Sequence, residues 1–233
     1  MKKKFETPWA NISDLMSALM MVFLLISVVY GAQMKQQSEQ LEVRSQKISG
    51  ITESYSDNRS QIYKTLDDKF SSRFEEWGAI LDKDTLTLRF NDPALLFEPG
   101  SSQLTLRFQE ILSEFWVEYT DILALYSDDI REVRIEGHTS SEWSNVDLAT
   151  SYFNNMRLSQ QRTRTTLEYC YYLTPIDKQE WVRSYVTANG MSFSRPTLLP
   201  SGQEDPVASR RVEFTIIVDS RSTLEEIGRA LNE

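Results

Sequence analysis

Residues 12–31 read ISDLMSALMMVFLLISVVYG, 20 positions with a single charged side chain. At ~1.5 Å rise per residue, a helix of that length reaches ~30 Å, the thickness of a bilayer's hydrocarbon core. The run predicts one transmembrane helix over 12–32, behind a short tail of residues 1–11. Two rivals fit less well. The apolar region of a signal peptide usually has about 7–15 residues, and Gly31-Ala32 is only a weak cleavage signal. A buried helix of a soluble domain sits poorly with Thr7-Pro8-Trp9 followed by almost unbroken apolar sequence. Lys2, Lys3 and Lys4 precede the run, so the N-terminus is expected in the cytoplasm. Everything after about residue 32 is then expected outside, in the periplasm of a two-membrane bacterium, with the span in its inner membrane. Trp9 and Tyr30 bracket the span, where amphipathic rings favour the membrane–water interface.

The rest of the composition removes whole classes of function. The formal net charge of −9 argues against a nucleic-acid partner, because phosphate binding needs a basic surface. One cysteine, Cys170, and one histidine, His138, exclude an internal disulfide and a zinc site built only of Cys and His. Cys170 lies in Tyr169-Cys170-Tyr171-Tyr172, which reads as the buried face of a helix, where thiols are inert. No Ser/His/Asp, metal or phosphate-loop signature appears. Neither catalytic residue nor cofactor is expected, and the chain does not read as an enzyme.

Asp14 is the sole Asp, Glu, Lys, Arg or His between Glu6 and Lys35. At the centre of a membrane helix an aspartate costs ~2.5–3.5 kcal/mol on insertion scales, so such residues usually serve a pathway. Asp14, Ser17 and Met21 are spaced to share one helix face, and Ser13, Ser17 and Ala18 allow close helix approach. A second reading places Asp14 in the first helical turn, complementing the helix dipole, with Asn11 or Ser13 as the cap. The residues alone leave both open.

From about Gln33 to about Trp77 the chain is polar and proline-free, with one glycine, Gly50, within the connector expected over 33–79. Met34, Leu41, Ile48, Tyr55 and Ile62 recur every seven residues, half of a coiled-coil seam. The other seam position is mostly polar (Gln37, Arg44, Ser45). A weak parallel helix pair and a single solvated helix are both compatible; either makes a periplasmic helical connector.

The remaining sequence alternates strand and helix signals over residues 80–220. Strands are expected at 84–90, 131–137, 182–188 and 211–218, and helices at 104–125 and 151–172. In the first of those helices Phe108, Ile111, Leu112, Phe115, Trp116, Tyr119 and Ile122 share one side. The segment 198–206 is turn-rich and polar, and a short charged helix is expected over 221–233. The fold class that follows is one N-terminal transmembrane α-helix and connector, then an α+β sandwich with helices covering one face of a mixed β-sheet.

Two sets of residues carry a family resemblance. Trp9 to Met20, WANISDLMSALM, resembles the start of the transmembrane helix in MotB-type stator subunits, and among them those of the Zorya anti-phage system. Further on, Leu95-Leu96-Phe97-Glu98-Pro99-Gly100-Ser101, Val133 to Thr139 (VRIEGHT), Asn155 to Arg162 (NMRLSQQR) and Arg210 to Phe214 (RRVEF) resemble, in order, the motifs of the OmpA-like peptidoglycan-binding domain. The first resemblance implies that Asp14 carries a translocated proton. It also implies a homodimer inside a ring, of five copies, of a multi-span MotA/ZorA-like membrane subunit. The second implies peptidoglycan as a partner, bound through Thr139, Ser140, Asn155, Leu158, Arg162 and Arg210. Together they imply a proton-conducting, wall-anchored motor subunit, in anti-phage defence ahead of flagellar rotation; a passive wall anchor is the rival.

Asn155, Leu158 and Arg162 fall three and four residues apart, on one helix face. Arg162 offers a planar fork of donors to a carboxylate, such as those on wall stem peptides. Plain core packing is the simpler role for Leu158, and a surface ion pair with Glu168 or Asp147 the simpler role for Arg162. His138 reads as structural. One departure stands out. The family's Gly-His-Thr-Asp is Gly137-His138-Thr139-Ser140 here, so the carboxylate that meets the ligand's amino group is missing. Glu142 and Asp147 are the candidates to replace it.

Overall fold

The computed structural model describes residues 8–98, 100–143, 145–219, 224, 225 and 227–229. The element order is α1 (Pro8–Trp77), β1 (Ala79–Asp82), β2 (Thr87–Phe90), α2 (Pro93–Leu96), α3 (Leu106–Ala124), β3 (Ile130–Gly137), α4 (Leu148–Leu173), a 3₁₀ turn (Ile176–Lys178), α5 (Gln179–Tyr185), β4 (Val186–Gly190), α6 (Pro206–Ser209) and β5 (Val212–Val218). Lys2, Lys3 and Lys4 lie outside the described residues, as does the side chain of Asn11. Of the expected C-terminal helix, residues 224, 225 and 227–229 are described and are helical.

Among the described residues α1 alone is long and apolar enough to cross a membrane. From Ile12 to Tyr30 its large apolar side chains have no protein cover. It starts at Pro8, a residue suited to a first helical turn, where its missing N–H is no loss. Asn11 and Ser13 therefore lie inside the helix, and Asp14 stands in its second turn rather than its first.

The far end of α1 corrects the expected connector. Ile62, Leu66, Phe70 and Trp77 are buried to within 2%. Their spacing of four, four and seven places them on one helix stripe. Ser54–Ser222 is one compact unit, so the last six turns of the helix belong to the folded domain rather than to a solvated spacer. Ile62, read from sequence as a seam position, is core. Met34 and Leu41 are exposed and Ile48 is half-buried.

Five strands form the mixed sheet, in the order β1-β2-β5-β3-β4, with β3 and β4 parallel and every other pair antiparallel. Sequence reading located four of them. β1 was missed because Ala79-Ile80-Leu81-Asp82 follows the helix after one residue and is too short to show alternation. The strand expected at 182–188 is displaced: residues 182–185 complete α5, with Val182 buried, and β4 begins at Val186. Successive side chains of a strand point to opposite faces. Leu88, Phe90, Val133, Ile135, Phe214 and Ile216 are buried, and Phe214 meets Phe90, Phe115 and Trp116 ring to ring. The alternate residues of the central strands, Arg89, Glu132, Arg134, Glu136, Glu213 and Thr215, give the other face its polar character.

α4 lies close to the sheet because both sides are small. Its buried residues are Ser151, Asn155, Ser159, Thr163, Thr166 and Cys170. A methyl group on Gly190 would stand 2.4 Å from Gln160 N, and one on Gly137 would stand 2.7 Å from Thr163 Cγ2. Both are closer than non-bonded atoms allow, so glycine at the ends of β3 and β4 sets the helix–sheet spacing. Burial raises the Cys170 thiol pKa well above its ordinary value and leaves it inert.

Candidate functional site: an arginine-lined pocket at the end of the central strands

The C-terminal end of β3 and the residues leading into β5 are tied together by backbone. His138 N donates to Arg211 O at 2.9 Å, and Thr139 N donates to Ser192 O at 2.9 Å. This brings the loop between β3 and α4 over Arg210 and Arg211. From the other side comes the segment 97–104, closed by a bridge between Phe97 and Leu104. A pocket opens where these meet α4, lined by Phe97, Gly137, His138, Arg162, Arg210 and Arg211 with apolar neighbours.

Arg162 reaches it from α4. Its Nε donates to Ser101 O at 2.9 Å, and its guanidinium carbon stands 4.8 Å from the centre of the Phe97 ring. Among the described residues no carboxylate lies within ion-pair distance, so the surface pairs with Glu168 or Asp147 that spacing allowed are not formed. Burial, and then the neighbouring Arg210 charge, lower its pKa to about 10. A cation in that setting is short of a negative partner.

Arg210 is engaged. Its Nη1 donates to Glu142 Oε2 at 3.0 Å and to Ser140 Oγ at 3.2 Å. Ser140 Oγ lies 3.5 Å from the same Glu142 oxygen. Asp147 is occupied elsewhere. It caps α4, accepting from Thr150 N at 3.0 Å and Thr150 Oγ1 at 2.8 Å.

The other residues expected here fall behind the pocket rather than in it. Thr139 and Asn155 are each 3% exposed. Asn155 Nδ2 donates to Ser151 Oγ at 3.4 Å, and Ser151 Oγ donates to Ser141 O at 3.2 Å, so the amide braces the β3–α4 loop from beneath. Leu158 is half-buried. Among the described residues the Thr139 hydroxyl has no hydrogen-bond partner.

Sequence reasoning missed Glu213, which supports the pocket from below. Its Oε1 accepts from Arg89 Nε at 2.6 Å and from Arg211 Nε at 2.7 Å, and its Oε2 lies 3.3 Å from His138 Nε2. Burial pushes this carboxyl's pKa up, but the His138 imidazole and the Arg211 guanidinium outweigh it and hold the group well below the ordinary carboxylate range. The signal was available: Arg-Arg-Val-Glu places Arg211 and Glu213 two apart on a strand, hence on one face.

The chain is 41% identical over 223 residues to the Zorya protein ZorB of an Escherichia coli strain, an alignment covering 94% of this chain and 91% of that protein. No protein-family model matches. Among solved structures, a MotB-like protein from Desulfovibrio vulgaris aligns with 77% of this chain and 99% of its own, at 21% identity and a TM-score of 0.49. The cell wall anchor of the T6SS from Pseudomonas aeruginosa aligns with 66% of this chain and 97% of its own, at 20% identity and a TM-score of 0.46.

Proposed function

The chain belongs to the ZorB family, and from that premise we propose that it is a wall-anchored, proton-carrying stator subunit of an inner-membrane motor in anti-phage defence. The observation that carries the anchoring half is Arg162, a partly buried guanidinium with no carboxylate partner among the described residues, facing a pocket that Arg210 and Arg211 also line. Such a pocket favours an acidic ligand. In the periplasm the abundant ligand of that kind is the carboxylate-bearing stem peptide of peptidoglycan. Arg162 takes the ligand's carboxylate, and Arg210, braced by the buried Ser140, forms the opposite wall. Leu158, Thr139 and Asn155 lie behind them and support the loop.

The motor half rests on Asp14. An aspartate in the second turn of a membrane helix, with Ser13 and Ser17 near it, is stable only where other helices shield it from lipid. A dimer of this chain inside a ring of five MotA/ZorA-like subunits supplies that shield. There the carboxyl gains and loses a proton as the ring turns, while the periplasmic domain keeps the dimer from rotating with it. The N-terminus stays in the cytoplasm.

The test is phage plating of cells carrying the chain with its partner genes. Asp14→Asn is expected to abolish protection without lowering the amount of protein. Full protection by Asp14→Asn removes proton carriage and leaves a passive tether. Arg162→Ala is expected to release the full chain from purified cell-wall sacculi.

A further inference from the structure

Where β3 ends and β5 begins, Glu136, His138 and Glu213 form a three-sided cluster. They are 5%, 2% and 6% exposed, and one ligand atom from each lies within 4.8 Å of the other two. His138 Nε2 stands 3.3 Å from Glu213 Oε2 and 3.9 Å from Glu136 Oε2. Yet among the described residues neither ring nitrogen has a hydrogen-bond partner. At 3.3 Å, the nearer oxygen must then lie off the axis of the ring N–H. A buried imidazole with both nitrogens unsatisfied is costly, so the space it shares with the two carboxylates favours an occupant that bonds to all three.

The carboxylate oxygens divide their work. Glu213 Oε1 accepts from both Arg89 and Arg211, which leaves Oε2 facing His138. Glu136 Oε2 has Arg195 Nη1 at 3.7 Å, but that arginine side chain is 62% exposed and can turn out to solvent. Ligands held at ~2.1 Å around a tetrahedral ion stand ~3.4 Å apart. The separations from Nε2, 3.3 and 3.9 Å, straddle that figure. One imidazole and two carboxylates, with a remaining position for water, suit divalent cations of the zinc kind. They suit magnesium or calcium poorly, because those ions take about six or more ligands, chiefly oxygen. Arg89 and Arg211 would steady the ligating carboxylate from outside, as hydrogen bonds to metal-bound carboxylates usually do.

We propose that Glu136, His138 and Glu213 bind one zinc-class divalent cation. The ion ties β3 to β5 and fixes His138, which lines the arginine pocket. This site does not depend on the wall-binding reading. A proton on His138 is the rival occupant, since an imidazolium would offset the same carboxylates without any ion.

The experiment uses the full chain in detergent, made without a histidine tag and stripped with a chelator. His138 is the single histidine of the chain, so an imidazole ligand reports this site alone. Calorimetric titration with Zn²⁺ is expected to show one site per chain and to raise the thermal midpoint, whereas Mg²⁺ does neither. Co²⁺ in its place is expected to give the intense visible bands of a four-coordinate ion. His138→Gln is expected to weaken Zn²⁺ binding by more than the ~10–100-fold that loss of an outer-shell partner costs, while Asp147→Asn leaves it unchanged. Equal binding of Mg²⁺, wild-type affinity in His138→Gln, or the pale spectrum of six-coordinate Co²⁺ overturns the proposal. The Co²⁺ spectrum is read on the wild-type chain, so it decides even if His138→Gln does not fold. Absence of Zn²⁺ binding by the wild-type chain also overturns it and leaves the proton as the occupant.

Discussion

Glu136 on β3 stands directly opposite Glu213 on β5, and both side chains are buried. Like charges facing each other across an antiparallel pair repel, so the arrangement survives only through the cations around it. Arg89 and Arg211 grip Glu213, Arg195 Nη1 lies 3.7 Å from Glu136, and His138 sits beside both carboxylates. Arg211 is itself 7% exposed and also donates to the carbonyls of Arg195 and Ser209. The pocket's floor is therefore a charge-compensated cluster, not an apolar core.

Removing one member leaves buried charges of the other sign. Glu213→Gln is expected to destabilise the domain by about 3–5 kcal/mol, the usual cost of breaking a buried pair from one side. Urea denaturation followed by tryptophan fluorescence measures it. A loss below about 1 kcal/mol would show that Arg89 and Arg211 find other partners.

The same group sets a pH dependence. Its folded pKa lies below its unfolded value, ordinarily about 4.3 for a glutamate. The unfolded chain then binds the proton first, so the contribution is fully present above that value. It is lost progressively as pH falls below about 4.3 towards the folded pKa. Denaturation midpoints between pH 7 and pH 3 should fall more steeply in the wild type than in Glu213→Gln.

The last turns of α1 should behave as part of the domain. Phe70 is 1% exposed and packs edge-on to Phe115 at 5.5 Å between ring centres. Phe70→Ala is expected to cost about 3–5 kcal/mol. A fragment beginning at residue 54 should unfold cooperatively, whereas one beginning at residue 80 should lack a folded core by the same denaturation assay.

Gly190→Ala should be damaging although the added group is one methyl. The obstacle is the backbone nitrogen of Gln160, which cannot swing aside as a side chain would. Overpacking of this kind costs about 1–3 kcal/mol. A methyl added at Gly50 in α1 would meet nothing within 4 Å, so Gly50→Ala should cost nothing in a thermal melt that shows the loss at Gly190.

Arg162→Lys separates charge from geometry. Lysine keeps the positive charge but loses both the planar fork and the stack on Phe97. Sacculus retention should fall close to the level of Arg162→Ala. Retention like the wild type would mean that the pocket reads charge alone.

Much of this was legible in the chain itself. An apolar run of 20 residues fits a span better than a signal peptide or a buried helix, and the alternation of Phe-Thr-Ile-Ile-Val in β5 admits little but a strand. The positions of α3 and α4 followed from helical periodicity, and the pocket's arginines from their motifs. Local pattern carries such information because backbone hydrogen bonding and side-chain period are local. Three matters were decided only by tertiary contact. Ile62 reads from its spacing as a seam position, and packing of the end of α1 against α3 made it core together with Leu66, Phe70 and Trp77. Glu142 and Asp147 were equal candidates by spacing, until the free N–H groups of α4 claimed Asp147. Arg162 could have paired on the surface, but the close fit of α4 to Gly137 and Gly190 turned it towards Ser101 and Phe97. In each case the choice depended on a group distant in sequence.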